Sequence, residues 1–209
     1  MANVLTNPDG FFSELSARDV NMKIPAIIVL VVAIIDAIDK VVMVSAITPA
    51  LPSDVAQFAG IFAAVIAIKA LIYPFIAWFI YAGIFYVIST LFKGEGSFKR
   101  VLEFTGYGFI PTIITSVVAS AATMTVLPTI GTGFENPELM EQTLMQDPVM
   151  HVSAIISILL MLWSANIWIF GVKHARYIST KHALITVGVP VGIYLIFLII
   201  TRFFIFPTM

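Results

Sequence analysis

The sequence predicts an all-α, polytopic integral membrane protein: a five-helix transmembrane bundle preceded by a short interfacial amphipathic helix. Composition is the first reason, since 60% of the 209 residues are hydrophobic and only 11% are charged. Soluble domains carry roughly 45–50% apolar and about 25% charged residues. The second reason is that several apolar runs reach the ~20 residues that a membrane-spanning helix needs. A mean hydropathy of +1.03 agrees with both.

The chain divides into a cytosolic N-terminal segment, residues 1–22, and a membrane domain, residues 23–209. The predicted spans cover about 24–47, 55–92, 104–127, 150–172 and 183–206, and residues 128–147 are predicted to form a loop. The second span has nearly twice the necessary length, so it must tilt, protrude or break near Pro74.

The N-terminal segment contains the signals of a short helix. Asn7 is suited to cap it and Pro8 is tolerated at its first position. The apolar residues of this helix share one face and are predicted to anchor it at the membrane interface; they are Phe11, Phe12 and Leu15. A disordered tail is the alternative, because the helix is short.

Basic residues predict the orientation. Eight of the eleven lysines and arginines lie on one side of a five-span arrangement, and the loops on the other side contain none. The positive-inside bias therefore places the N-terminus in the cytoplasm and the C-terminus outside. The residues expected to form a cytosolic basic face are Lys99, Arg100, Lys173, Arg176 and Lys181.

Four charged residues fall inside predicted spans, where charge costs several kcal/mol unless it is paired or hydrated. This intramembrane cluster comprises Asp36, Asp39, Lys40 and Lys69. Asp36 and Lys69 reach comparable depths, so a pair between helices is feasible. Three roles stay open: an internal ion-pair network, a proton or cation path, and a hydrated vestibule.

Several function classes are disfavoured. The chain has no cysteine, and its formal net charge of −1 gives no basic field for nucleic acid. Its three histidines are not spaced as metal ligands, and it has no nucleophile, phosphate-loop or dinucleotide motif. We therefore expect no enzymatic activity, no metal and no cofactor.

The second loop and the third span resemble the Yip (Ypt/Rab-interacting protein) domain family, in its prokaryotic branch. The resemblance rests on Gly94-Glu-Gly-Ser-Phe-Lys-Arg-Val-Leu102 followed by Thr105-Gly-Tyr-Gly-Phe-Ile-Pro111. It is supported by Asn7-Pro8-x-x-Phe-Phe12 and by the basic connector before the last span. The residues that match the shared core motif are Gly106, Tyr107 and Pro111, and the resemblance implies a structural role for them.

The resemblance implies a non-enzymatic scaffold or organiser in a prokaryotic cell membrane. Eukaryotic relatives act in vesicle traffic and associate with Rab-type GTPases and with one another. Their Asp-Leu-Tyr-Gly-Pro motif is missing here, so GTPase binding is not expected. The expected partners are the lipid bilayer, with its anionic lipids, and further membrane proteins or copies of the chain. The alternative is a small ion or proton-coupled transporter that uses the intramembrane cluster.

Overall fold

The structure, a computed structural model, describes residues 3–127 and 146–201, and within them the regular secondary structure is entirely helical. The α-helices are α1 (Pro8–Ser16), α2 (Lys23–Ile47), α3 (Ser53–Ala56), α4 (Ala59–Thr90), α5 (Phe98–Tyr107), α6 (Ile110–Val126), α7 (Pro148–Arg176) and α8 (Thr180–Ile200). Most of the predicted loop 128–147 and the end of the fifth predicted span lie outside the described residues.

Side-chain caps fix where several helices begin. Asn7 accepts a hydrogen bond from the backbone amide of Gly10 at 3.1 Å, as its position before Pro8 predicts. Ser97, Asp147 and Ser179 accept equivalent bonds at the starts of α5, α7 and α8. These acceptors satisfy amides that have no partner within the helix.

Three helices, α4, α7 and α8, are long and apolar enough to cross a membrane. The pair α5 and α6, bent by 42° at their junction, would make a fourth span. With 25 residues α2 is also long enough, but three charged residues interrupt its apolar stretch. Over the described residues the structure is thus all-helical with three to four candidate spans, and the count of five stays a prediction.

The second and third predicted spans differ from the helices that form. Pro74 lies inside the continuous helix α4, whose 32 residues measure about 48 Å against a hydrocarbon core of about 30 Å. Tilt or protrusion must absorb the excess, because the helix does not break. The third span was predicted to begin near residue 104, but the helix in this region, α5, begins at Phe98. Ser97 caps its start, and the apolar residues that follow are buried.

Five long helices form a ring. Around it, α4 packs on α2, α2 on α6, α6 on α7, α7 on α8, and α8 returns to α4. One end of the ring is filled by α5, which contacts α2, α4 and α7, and residues 101–109 are buried almost throughout. Outside the ring, α1 packs along α7. The largest buried side chains lie at this filled end, among them Trp168, Phe12, Phe85 and Phe104.

Candidate functional site

A cavity of about 200 Å³ lies inside the ring, and all five ring helices line it. Hydroxyl groups make its wall partly polar; they come from Tyr73, Tyr81, Thr112, Thr115, Ser157, Ser164 and Tyr194. The side chain of Asp36 contributes a carboxylate. Towards α5 the cavity ends at Trp168, which stacks on Tyr81 with their ring centroids 4.9 Å apart.

A groove of about 600 Å³ lies beside this cavity, between α2 and α4. Its charged lining residues are Asp36, Lys40 and Lys69. Asp36 and Tyr73 line both the groove and the central cavity. The two spaces therefore share one wall, and that wall carries a carboxylate and a phenol.

The structure brings three members of the intramembrane cluster to the groove and turns the fourth away. Lys40 Nζ pairs with Asp39 Oδ2 at 2.9 Å, and Asp39 lines a separate hollow beside α6. The Asp36 carboxylate interacts with the Ser116 hydroxyl on α6. Within the described part of the chain, no ion pair joins Asp36 to Lys69. The Asp36–Lys69 pair that the sequence made feasible therefore does not form.

A second polar cluster lies at the filled end of the ring, around the wholly buried Glu103. Its carboxylate accepts hydrogen bonds from Arg100 at 2.7 Å and from the backbone amide of Asn21 at 2.9 Å. Arg100 also donates to the carbonyl of Arg18 and lies over the ring of Phe104. This cluster ties α5 to the segment that enters α2.

Arg176, predicted to belong to an exposed basic face, is buried with 2% of its surface accessible. It donates to Ser89 Oγ at 2.9 Å and to the carbonyls of Gly94 and Gly96, and it lies over the ring of Tyr86. The expectation of exposure was wrong because carbonyls of the loop after α4 accept hydrogen bonds from the guanidinium. These bonds replace the ones that an exposed arginine would make with water. Arg176 therefore joins this loop to the end of α7.

Only part of the predicted basic face is exposed. Lys99 and Lys181 are solvent-accessible, and Arg100 is occupied by Glu103. Lys173 pairs with Asp9 at 2.7 Å, and His174 contacts the same oxygen at 2.6 Å. Hydrogen bonds from these two groups hold the pKa of Asp9 below its ordinary value. The basic connector thus fastens α1 to the bundle.

The apolar face of α1 packs on the helical bundle. Phe12 is completely buried, with its ring centroid 4.8 Å from that of Phe104, and Phe11 meets Tyr107 at 5.1 Å. Leu15 packs against the same core. For Phe12 the predicted contact with the membrane interface is corrected: α5 presents an apolar surface that α1 covers, so burial of Phe12 does not require a membrane.

The family motif residues lie at the bend between α5 and α6. A Cβ on Gly106 would fall 2.6 Å from Pro25 Cβ, and one on Gly108 would fall 1.9 Å from Trp168 Nε1. Tyr107 and Pro111 are both buried. All of these contacts are packing contacts, which supports the structural role expected of Gly106, Tyr107 and Pro111.

Sequence reasoning missed Glu103 and two buried tryptophan hydrogen bonds. The indole of Trp168 donates to the carbonyl of Thr105 and that of Trp78 to the carbonyl of Leu102, both at 2.7 Å. A signal for Glu103 was available, because it follows Arg100 by three residues and apolar residues surround it. Nothing in the spacing of the tryptophans identifies their acceptors.

Comparisons with known proteins agree with the motif. The uncharacterized protein MJ0794 of the archaeon Methanocaldococcus jannaschii is 40% identical over 118 residues, which are 56% of this chain and 84% of that protein. No solved structure matches the chain. The Yip1 domain matches residues 2–201, nearly the whole chain. The match to an archaeal protein fits the prokaryotic branch, and the family resemblance is confirmed: the chain belongs to the Yip1 domain family.

Proposed function

We propose that this protein is a non-enzymatic membrane scaffold that assembles with copies of itself. In this proposal it crosses the membrane five times, with its N-terminus in the cytoplasm and its C-terminus outside. The charge distribution supports that orientation, and the Yip1 domain family is not known as enzymatic. Membership in the family does not favour the small transporter considered from the intramembrane charges.

One exposed stripe on α7 carries the proposal of self-assembly. Its members recur at alternating intervals of three and four residues, and all are exposed: Val152, Ile155, Leu159, Leu162 and Asn166. This is the a/d spacing with which two helices interlock side chains along a common seam. Contact with lipid would account for the four apolar members of the stripe, but not for the amide.

Asn166 distinguishes a protein interface from a lipid-facing surface. It lies ten residues before Arg176, about 15 Å along the helix, and so falls within a hydrocarbon core about 30 Å thick. Among the described residues its side chain makes no hydrogen bond. An amide in hydrocarbon needs a partner, and asparagine commonly finds it on a neighbouring helix.

A second copy of the chain fits this stripe because an amide group is self-complementary. Two α7 helices related by a twofold axis along the membrane normal place each Asn166 opposite its counterpart. Each amide can then donate to and accept from the other. A single polar residue at an a position also fixes the register of such a pair.

Disulfide cross-linking tests the interface directly, since the natural chain has no cysteine. We expect Ile155→Cys to cross-link between copies under mild oxidation in dilute proteoliposomes, because paired a/d positions bring Cα atoms within the ~4–7 Å that a disulfide spans. Ile193→Cys, on the lipid-facing side of α8, is the matched control and should remain monomeric. Equal yields at the two positions would contradict the stripe.

Removing only the amide gives a second test. Asn166→Leu keeps an apolar packing surface but loses a hydrogen bond worth about 0.6–2 kcal/mol between membrane helices. We therefore expect the dimer dissociation constant, measured by subunit photobleaching at several lipid dilutions, to rise about 3- to 30-fold. An unchanged constant would exclude Asn166 from the interface.

The orientation is tested with the same cysteine-free background. A membrane-impermeant thiol reagent added to intact cells should label Ser53→Cys, in the connection between α2 and α4. It should label Lys93→Cys, after α4, only once the cells are permeabilised. The reverse pattern would overturn the proposed orientation.

A further inference from the structure

Lys69 occupies an unusual position for a lysine. The residues around it on α4 form an apolar exposed surface that includes Ile66, Ile72 and Ile76. Lys69 is itself exposed, and it has no ion-pair partner in the described parts of the chain. A lysine on a lipid-facing surface requires an anion or water within reach of its ammonium group.

The depth of Lys69 corresponds to the headgroup level of one leaflet. It lies 21 residues before Thr90, which at 1.5 Å per residue is about 31 Å from the filled end of the ring. Lys40 lies 17 residues after Lys23, about 26 Å from the same end. If the filled end of the ring lies at one edge of a hydrocarbon core about 30 Å thick, both ammonium groups reach its other edge. There they come near the phosphates of the leaflet beside the α2–α4 connection.

We propose that the groove between α2 and α4 binds one phospholipid from that leaflet, with its phosphate held by Lys69 and Lys40. The volume of about 600 Å³ falls within the range of ordinary small-molecule sites. Lys69 supplies the dominant attraction, because Lys40 already pairs with Asp39. An acyl chain lies along the apolar wall of the groove. This inference does not rest on the proposed self-assembly through α7.

The net charge of the headgroup affects how strongly it binds in the groove. A phosphoglycerol headgroup carries one net negative charge, whereas the trimethylammonium of phosphocholine cancels the charge of its phosphate. Lys69 has no ion-pair partner in the described parts of the chain, so it attracts the anionic headgroup more strongly. The groove should therefore prefer a phosphoglycerol lipid to a phosphocholine lipid of the same chain length.

Native mass spectrometry of the full chain released from detergent measures this preference. We expect dioleoylphosphatidylglycerol to be retained at least fivefold more than dioleoylphosphatidylcholine, and dioleoylglycerol least of all. Lys69→Gln should lower retention of phosphatidylglycerol at least fivefold, since one basic residue near a membrane contributes about 1 kcal/mol. Lys181→Gln, an exposed lysine at the start of α8, is the matched control and should leave retention unchanged.

Two further variants separate binding from folding and test the role of Asp36. Lys69→Arg retains the cation and should restore retention, and the melting temperature of Lys69→Gln should match that of the natural chain. Asp36→Asn removes a carboxylate that lines the groove and repels the phosphate, so it should raise retention of phosphatidylglycerol. Retention by Lys69→Gln equal to the natural chain would overturn the proposal. So would displacement of the lipid by millimolar glycerol 3-phosphate, which would identify a soluble phosphate compound as the ligand.

Discussion

Replacing Gly108 by alanine should destabilise the filled end of the ring, although alanine is ordinarily the better residue near a helix. The backbone of Gly108 has φ −69° and ψ −7°, which any residue can adopt. The obstacle is steric: the new Cβ would lie 1.9 Å from Trp168 Nε1 and 2.2 Å from its Cδ1. The indole must therefore move by more than an ångström to reach ordinary contact.

That movement breaks the 2.7 Å hydrogen bond from Trp168 to the carbonyl of Thr105 and disturbs the stack on Tyr81. Overpacking costs about 1–3 kcal/mol, and a buried N–H left without an acceptor costs about 1–3 kcal/mol more. We expect a loss of about 3 kcal/mol in unfolding free energy. For a domain of this size that corresponds to a decrease of about 6–12 °C in melting temperature.

Gly188→Ala is the matched control, because a Cβ at Gly188 meets no atom within 4 Å. Inside α8 it should stabilise the chain by about 0.5–1 kcal/mol, since glycine is a poor helix residue. Thermal unfolding in detergent, followed by circular dichroism, compares the two variants, and tryptophan fluorescence reports any displacement of the indole. Equal shifts in melting temperature for the two alanine variants would refute the steric argument.

Three further predictions concern the same end of the molecule. Phe12→Ala should cost about 3–5 kcal/mol as a truncation in the core, whereas Phe79→Ala, at a half-exposed position on α4, should cost much less in the same melts. Arg176→Met should leave two loop carbonyls without donors, at about 1–3 kcal/mol each, and limited proteolysis should then cut the loop after α4 faster. The pKa of Asp9 is lower in the fold than in the unfolded chain, so its contribution is complete above about pH 4 and is lost as the pH falls through the folded value. Acidification should therefore release α1, measured by energy transfer between labels on α1 and α7, and Asp9→Asn should remove that part of the pH dependence.

The sequence was sufficient to identify the class of protein and the positions of its main helices. Apolar runs and caps such as Asn7 are local signals, and their physical causes act within a few residues. The family motif was equally readable, because its residues are contiguous in the chain. The sequence also indicated which residues carry charge at membrane depth.

What a charged side chain contacts was decided only by tertiary structure. Arg176 and Lys99 are both basic residues beside predicted spans, yet one is buried against loop carbonyls and the other is exposed. Phe12 was predicted to face lipid, and it faces Phe104 instead. The hydrophobicity of a side chain predicts that it will be removed from water. Burial in lipid and burial in the protein interior both remove it. The choice between them depends on which surfaces meet when distant segments pack, and periodicity along one segment contains no information about that.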